Sequence, residues 1–354
     1  MKSILHTSVL ALAALTLGSA HAAPITAQEA LNQFNLVVFG DSVSSSHVDG
    51  RTYVRGNLTG GDYVQHPADT PASGYSGVTV GGNASSLNVN GLGIVTGGNL
   101  TNTNVNSGSA VILGNASNVN FNGAAYVGGT ASNSNFNGGH LTGSTAVAAQ
   151  QNAAGALDSS FLQVQLNGLS QQLSQLASTG SNVTINGGRA VFNAVADANG
   201  LAVFDLTLID TLLFTLNEFE FNLNGATTLI FNSDNAAYDI HANFLGGSAR
   251  TIGKYAIWNF YNAANIALES EFGGAVLGIS AALRNENNIE GTVVVASLQQ
   301  HGEIHLQPFT GDVPDNNVPE PESLGLLIAG LAAMAYPRLR RPASSSRRDA
   351  ASNV

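Results

Sequence analysis

The sequence contains no cysteine, so disulfides cannot hold the fold together even if the chain is exported. Charge is also scarce: charged residues are 10% of the chain, with 12 Lys and Arg against 23 Asp and Glu. Five of the basic residues lie beyond Tyr336 and one is Lys2, which leaves 6 basic and 22 acidic residues between positions 23 and 322. That balance offers no basic face to a nucleic acid. Glycine, by contrast, accounts for 40 of 354 residues. Such a content suits tightly turned β structure better than helix bundles, and a chain of this length can bury a core without staples.

In place of charge the chain has repetition. Between residues 78 and 139 one phrase is written four times, as Gly82-Asn83, Gly98-Asn99, Gly114-Asn115 and Gly129-Thr130. A second phrase follows each: Asn88-Val89-Asn90, Asn104-Val105-Asn106, Asn120-Phe121-Asn122 and Asn135-Phe136-Asn137. The steps are 16, 16 and 15 residues for both, a period that predicts short strands stacked as a β-solenoid. Strand alternation places Val89, Val105, Phe121 and Phe136 inside and their flanking asparagines outside. Two outer columns follow, Asn88, Asn104, Asn120, Asn135 and Asn90, Asn106, Asn122, Asn137. At about 4.8 Å between coils, like amides can bond along each column. The glycines are expected at positive-φ corners. The columns have two readings: a self-satisfied ladder that keeps register, or a flat polar face for a repetitive ligand such as a glycan or ice. Ice would favour a long ordered threonine array, which Thr101 and Thr103 do not make.

Residues 153–178 change period. Leu162, Leu166, Leu169, Leu173 and Leu176 stand 4-3-4-3 apart among Gln, Ser and Asn. This predicts one amphipathic helix of about 20 residues along the solenoid flank, with Gly180 as its stop. A coiled-coil dimer would use the same stripe but is served poorly by so short a run. Strands then resume, as in Val203-Phe204-Asp205-Leu206 and Val293-Val294-Val295, without the 16-residue step. Regular coiling is therefore expected for about four turns, closed by the helix and a less regular second half. In a strand, His301, Glu303 and His305 would share one face, two imidazoles and a carboxylate able to ligate zinc. Gly302 can break that alternation, and the plain reading is a polar outer face. No cofactor is expected.

Both ends read as sorting segments. Lys2, the apolar stretch Ile4 to Leu17 and the small-residue site Ala20-His21-Ala22 make residues 1–22 a secretory signal peptide, with Ala23 as the expected first mature residue. At the other end a linker, 313–323, contains Val318-Pro319-Glu320-Pro321-Glu322, an extended, helix-resistant spacer. Residues 324–336 are a run of 13 without charge, about 20 Å long as a helix against roughly 30 Å for a bilayer core. Arg338, Arg340 and Arg341 form a basic stop that would stay on the cytoplasmic side, and a tail, 342–354, follows. These parts in this order resemble the PEP-CTERM sorting signal. The resemblance implies transient inner-membrane anchoring and cleavage by an exosortase-type enzyme in a Gram-negative cell that makes exopolysaccharide. It also implies residence in the cell envelope or extracellular matrix.

The stretch Phe39-Gly40-Asp41-Ser42 is similar to the nucleophile block of GDSL-type hydrolases. A serine nucleophile needs a base within hydrogen-bond reach, which that family supplies through Asp-x-x-His. None of His241, His301 or His305 has an aspartate three residues before it. The same stretch, with Val48-Asp49-Gly50-Arg51 and Val54-Arg55-Gly56-Asn57, resembles the opening of the choice-of-anchor A domain. Ile257-Trp258-Asn259-Phe260, Asn288-Ile289-Glu290-Gly291-Thr292 and Gly302-Glu303-Ile304-His305 continue that resemblance. It implies an ice-binding-like adhesive fold, mainly β, a β-solenoid with one long amphipathic helix alongside, over residues 23–312. The expected role is non-enzymatic, without catalytic residues: an adhesive or structural surface protein in contact with polysaccharide. A specific glycan- or ice-binding module is the alternative and the hydrolase a remote one. Nothing in the sequence sets the oligomeric state.

Overall fold

The computed structural model of the chain describes residues 25–313. The export segment 1–22 and the sorting residues Val318, Pro319, Glu320, Pro321, Arg338, Arg340 and Arg341 lie outside the described residues. The described part is mainly β, and 26 of its strands join one large sheet. Every pairing within that sheet is parallel. No helix among the described residues is long and apolar enough to cross a membrane.

The strands are short because each passage of chain turns twice and contributes to three ladders. The first ladder stacks Leu36–Val38, Thr52–Val54, Val78–Val80, Ile94–Thr96, Ala110–Ile112 and Ala125–Val127. The second runs from Ser42–Ser44 to Ala131–Ser132, and the third from His47–Val48 to Asn135–Phe136. We call one passage through the three ladders a tier. In the written repeats the registers superpose like on like, Asn104 on Asn88 and Val105 on Val89.

First-ladder strands are buried on both faces, which a strand only three residues long achieves by alternation. Outer residues such as Leu36 and Val38 point into the shared interior. The middle ones, including Val37 and Tyr53, or Val95 and Val111, point the other way and are covered by helices. Over Val37 and Tyr53 part of that cover is the N-terminal helix Ala27–Gln33; the rest is the helical run 143–174. It comprises two helices, Gly143–Leu157 and Ser160–Ser174, and not the single helix expected over 153–178. The break falls at Asp158, whose carboxylate accepts the Ser160 N–H at 3.0 Å. The second helix uses the predicted stripe, with Leu162, Leu166, Leu169 and Leu173 buried. The first escaped detection because it buries only Ala146 and Ala153, small residues that leave no apolar periodicity. The second helix ends at Ser174 with Gln175 as its cap, so Gly180 (φ +93°) is not its stop.

Parallel pairing is not confined to the four written repeats. It already begins at Leu36–Val38, and it resumes after the helices with Leu201–Asp205, Thr228–Ser233, Ala256–Phe260, Ala275–Asn285 and Val293–Gln300. The last of these pairs back onto the first tier, Leu36 beside Val293 and Ser42 beside Leu298, and the following strand Ile304–His305 continues the contact with Ile304 beside Val48. The first tier therefore lies inside the stack, with the second tier on one side and the last on the other. An edge that would otherwise be open to a foreign strand is closed by the chain's own C-terminal strand. A smaller four-stranded sheet, including the antiparallel pair Asn182–Asn186 and Arg189–Asn193, belongs to the second half.

The tiers approach too closely for side chains at the Gly-Asn phrases. A Cβ on Gly98 would lie 2.7 Å from the Gly82 carbonyl oxygen, and one on Gly114 would lie 2.5 Å from that of Gly98. Clearance, not positive φ, is what these glycines supply. Within the repeats the left-handed corners between the second and third ladders are taken by Ser86, Asn102, Asn118 and Asn133, with φ between 49° and 61°, and asparagine tolerates that region; the expected positive-φ glycines stand instead between the third ladder and the next first-ladder strand, at Gly93 (+71°) and Gly108 (+82°). Inside the stack, the buried hydroxyl of Thr96 has no hydrogen-bond partner and stands between Val80 and Ile112. Thr96→Val keeps the shape and removes a desolvated polar group. It is expected to raise stability by about 1 kcal/mol, read as a higher urea midpoint at unchanged slope.

Candidate functional site

Three long columns of polar side chains run along the stack, and a shorter one pairs Asn118 with Asn102 at 2.8 Å. In the first, Asn104 donates Nδ2–H to Asn88 Oδ1 at 2.9 Å, Asn120 to Asn104 at 2.8 Å and Asn135 to Asn120 at 2.7 Å. Asn88 closes the column on Asp62 at 2.6 Å. In the second, Asn106 donates to Asn90 at 2.9 Å and Asn137 to Asn122 at 2.8 Å. Between these columns Val89, Val105 and Phe121 are fully buried, while Phe136, on the fourth written repeat, is half-buried and stacks on His140 at 4.0 Å. The third column was not expected. The Oδ1 atoms of Asp41, Asn57, Asn83, Asn99 and Asn115 each accept the backbone N–H of the next tier at 2.7–2.9 Å. The repeated Gly-Asn phrase marks these positions, but spacing alone does not show that the amide turns along the stack. Asn88, Asn104 and Asn120 each spend one N–H and one lone pair along their column, and the amides of the second column spend less, so spare N–H groups and lone pairs stay directed at solvent.

Ser42 is not presented as a nucleophile. It is 1% exposed, its Oγ lacks a hydrogen-bond partner, and Asp41 beside it is engaged by Asn57. A second buried amide pair lies under the second long helix. Asn232 donates to the Leu173 carbonyl at 2.6 Å, and Asn259 donates to the Ser170 carbonyl at 2.9 Å while accepting from Ser170 Oγ at 2.7 Å. These bonds fix the helix onto the sheet and satisfy groups that water cannot reach.

The expected triad His301, Glu303 and His305 does not assemble as such. The strand ends at Gln300 and Gly302 follows, which breaks alternation; His301 Nδ1 lies 2.9 Å from Glu286 instead. Glu303 and His305 do meet, at 2.7 Å from His305 Nε2, and His47 of the first tier replaces His301, with Nε2 3.5 Å from Glu303 Oε2. Donor atoms of His47, Glu303 and His305 all lie within 4.8 Å of one another. Asp49 adds Oδ1 at 3.6 Å from His47 Nε2 and 3.7 Å from His66 Nε2. His66 arrives on the insertion after the second tier, which the buried Arg51 guanidinium holds by bonds to the carbonyls of Pro71 and Tyr75 while a third bond reaches Gln33 at the end of the N-terminal helix. Burial pulls the Arg51 pKa down to about 10.

His305 Nδ1 is also held at 2.6 Å by Glu290, a carboxylate 1% exposed. That hydrogen bond raises the His305 pKa to about 9 against an opposing desolvation, and Glu303 adds to the rise. A histidine with a raised folded pKa stabilises fully below its unfolded value near 6.5 and loses the contribution as pH climbs through the folded value. In metal-free buffer the melting temperature is expected to fall between about pH 6.5 and 9, and His305→Gln is expected to flatten that slope.

Neither a curated protein nor a solved structure matches the chain. Over residues 27–306, most of its length, it matches the family described as Putative Ice-binding-like adhesive domain. The interlocked tiers and a serine withheld from solvent agree with that match, which supports an adhesive, non-enzymatic role, and the chain belongs to this family.

Proposed function

We propose that the three ladders close on themselves as a β-solenoid and that the chain acts as a non-enzymatic adhesive or structural protein of the cell surface or extracellular matrix, of the choice-of-anchor A kind. The observation that carries this reading is the solvent-facing Asn columns, held in register by their own hydrogen bonds. They give a rigid, evenly spaced polar surface with spare donors and acceptors, suited to many weak contacts with a repetitive polymer. Residues 1–22 would direct export. The segment from Val318 to Arg341 would anchor the chain transiently in the inner membrane until an exosortase-type enzyme releases it among exopolysaccharide.

The spare amide groups also favour a narrower reading, specific glycan binding. A glycan array with the purified chain separates the two: one tight ligand class supports specificity, and weak binding to many polymers supports general adhesion. Deleting the gene is expected to reduce surface attachment and matrix retention; unchanged attachment, aggregation and retention would refute the adhesive role.

A further inference from the structure

We propose that His47, Glu303 and His305, with Asp49 bordering them, bind one zinc-class divalent cation that ties the first tier of the chain to the last. The donors are imidazole and carboxylate, a set that suits zinc among the common biological cations. Zinc arms of 2.0–2.1 Å place neighbouring tetrahedral donors about 3.4 Å apart. His47 Nε2 lies 3.5 Å from Glu303 Oε2 and 3.6 Å from Asp49 Oδ1, so one edge of the three-donor set already stands near that length, with Asp49 beside it. The third contact, His305 Nε2 to Glu303 Oε2 at 2.7 Å, is a hydrogen bond that the ion would displace, with an opening of about 0.7 Å.

Two further features point to a ligand. Glu290, almost fully buried, takes the Nδ1 side of His305 at 2.6 Å and so directs Nε2 at the cluster, the arrangement by which carboxylates orient metal-bound histidines. Asp49 is 6% exposed, and its Oδ2 accepts the Leu306 N–H at 3.0 Å. Its Oδ1 is left facing His47 and His66 at 3.6 and 3.7 Å, both longer than hydrogen bonds. That leaves acceptor capacity on Oδ1 beside the cluster. Asp49 and Leu306 are 257 residues apart in sequence, so an ion here would clamp the seam where the C-terminal strand closes on the N-terminal one.

The test uses the full chain, stripped with EDTA and titrated with zinc sulfate by calorimetry, with melts in parallel. The expected result is one equivalent of zinc per chain and a raised melting temperature. His47→Ala and His305→Ala are each expected to weaken binding by about 100-fold or more, and Glu290→Gln by about 10- to 100-fold. His301→Ala, outside the cluster, should bind as the parent does. Should His305→Ala not fold, His47→Ala carries the test, because its side chain is only partly buried. Absence of saturable binding to the folded parent would overturn the proposal. So would binding that survives His47→Ala, or that is lost in His301→Ala.

Discussion

Trp258→Ala is expected to lower the free energy of unfolding by about 4 kcal/mol, the largest effect of any single truncation considered. The indole is fully buried and stacks on Phe231 with centroids 4.0 Å apart. It also meets Phe272 at 5.3 Å and Phe192 at 5.8 Å, and its N–H donates to the Gly273 carbonyl at 2.8 Å. Truncation removes the apolar area, opens a cavity among rings that cannot all move inward, and leaves the Gly273 carbonyl unpaired. Urea unfolding followed by tyrosine fluorescence or circular dichroism reads the change. A loss under 2 kcal/mol would mean that the second half packs more loosely than these contacts indicate.

Gly114→Val is expected to cost about 3 kcal/mol or more, although the position is only half-buried. Its Cβ would lie 2.5 Å from the Gly98 oxygen and 2.6 Å from the Gly98 carbon, and backbone atoms cannot yield as a flexible side chain can. Relief requires opening the Gly114 N–H bond to Gly98 at 3.1 Å and the Asn115 N–H bond to Asn99 Oδ1 at 2.9 Å. Asn104→Ala, by contrast, removes two amide bonds in water and should cost about 1 kcal/mol. If the order of these two were reversed, the exposed amides, not the glycine clearance, would be setting the tier spacing.

Much of this is legible in the sequence alone. Alternation correctly sent Val89, Val105 and Phe121 inward, because a period of two is a local property of the backbone. The leucine stripe of 162–173 was legible for the same reason. What remained hidden depended on distance or on small residues. Gly98 and Gly114 announce themselves as glycines, but sequence does not distinguish a left-handed turn from a lack of clearance. The helix Gly143–Leu157 packs through alanines and therefore shows no stripe. His47 and Asp49 stand two apart in a strand pattern, yet their approach to Glu303 and His305 depends on the last tier pairing with the first. No local signal encodes that return, and so His301 was grouped with its sequence neighbours when it belongs with Glu286.

The central claim, adhesion without catalysis, is tested most directly by surface attachment of a gene-deleted strain complemented with variants of the chain. Attachment and matrix retention are expected to fall on deletion and to return fully with the parent chain and equally with Ser42→Ala, whose buried hydroxyl has no role to lose. Attachment unaffected by deletion would contradict the account, as would an ester-hydrolysing activity of the purified chain that Ser42→Ala abolishes.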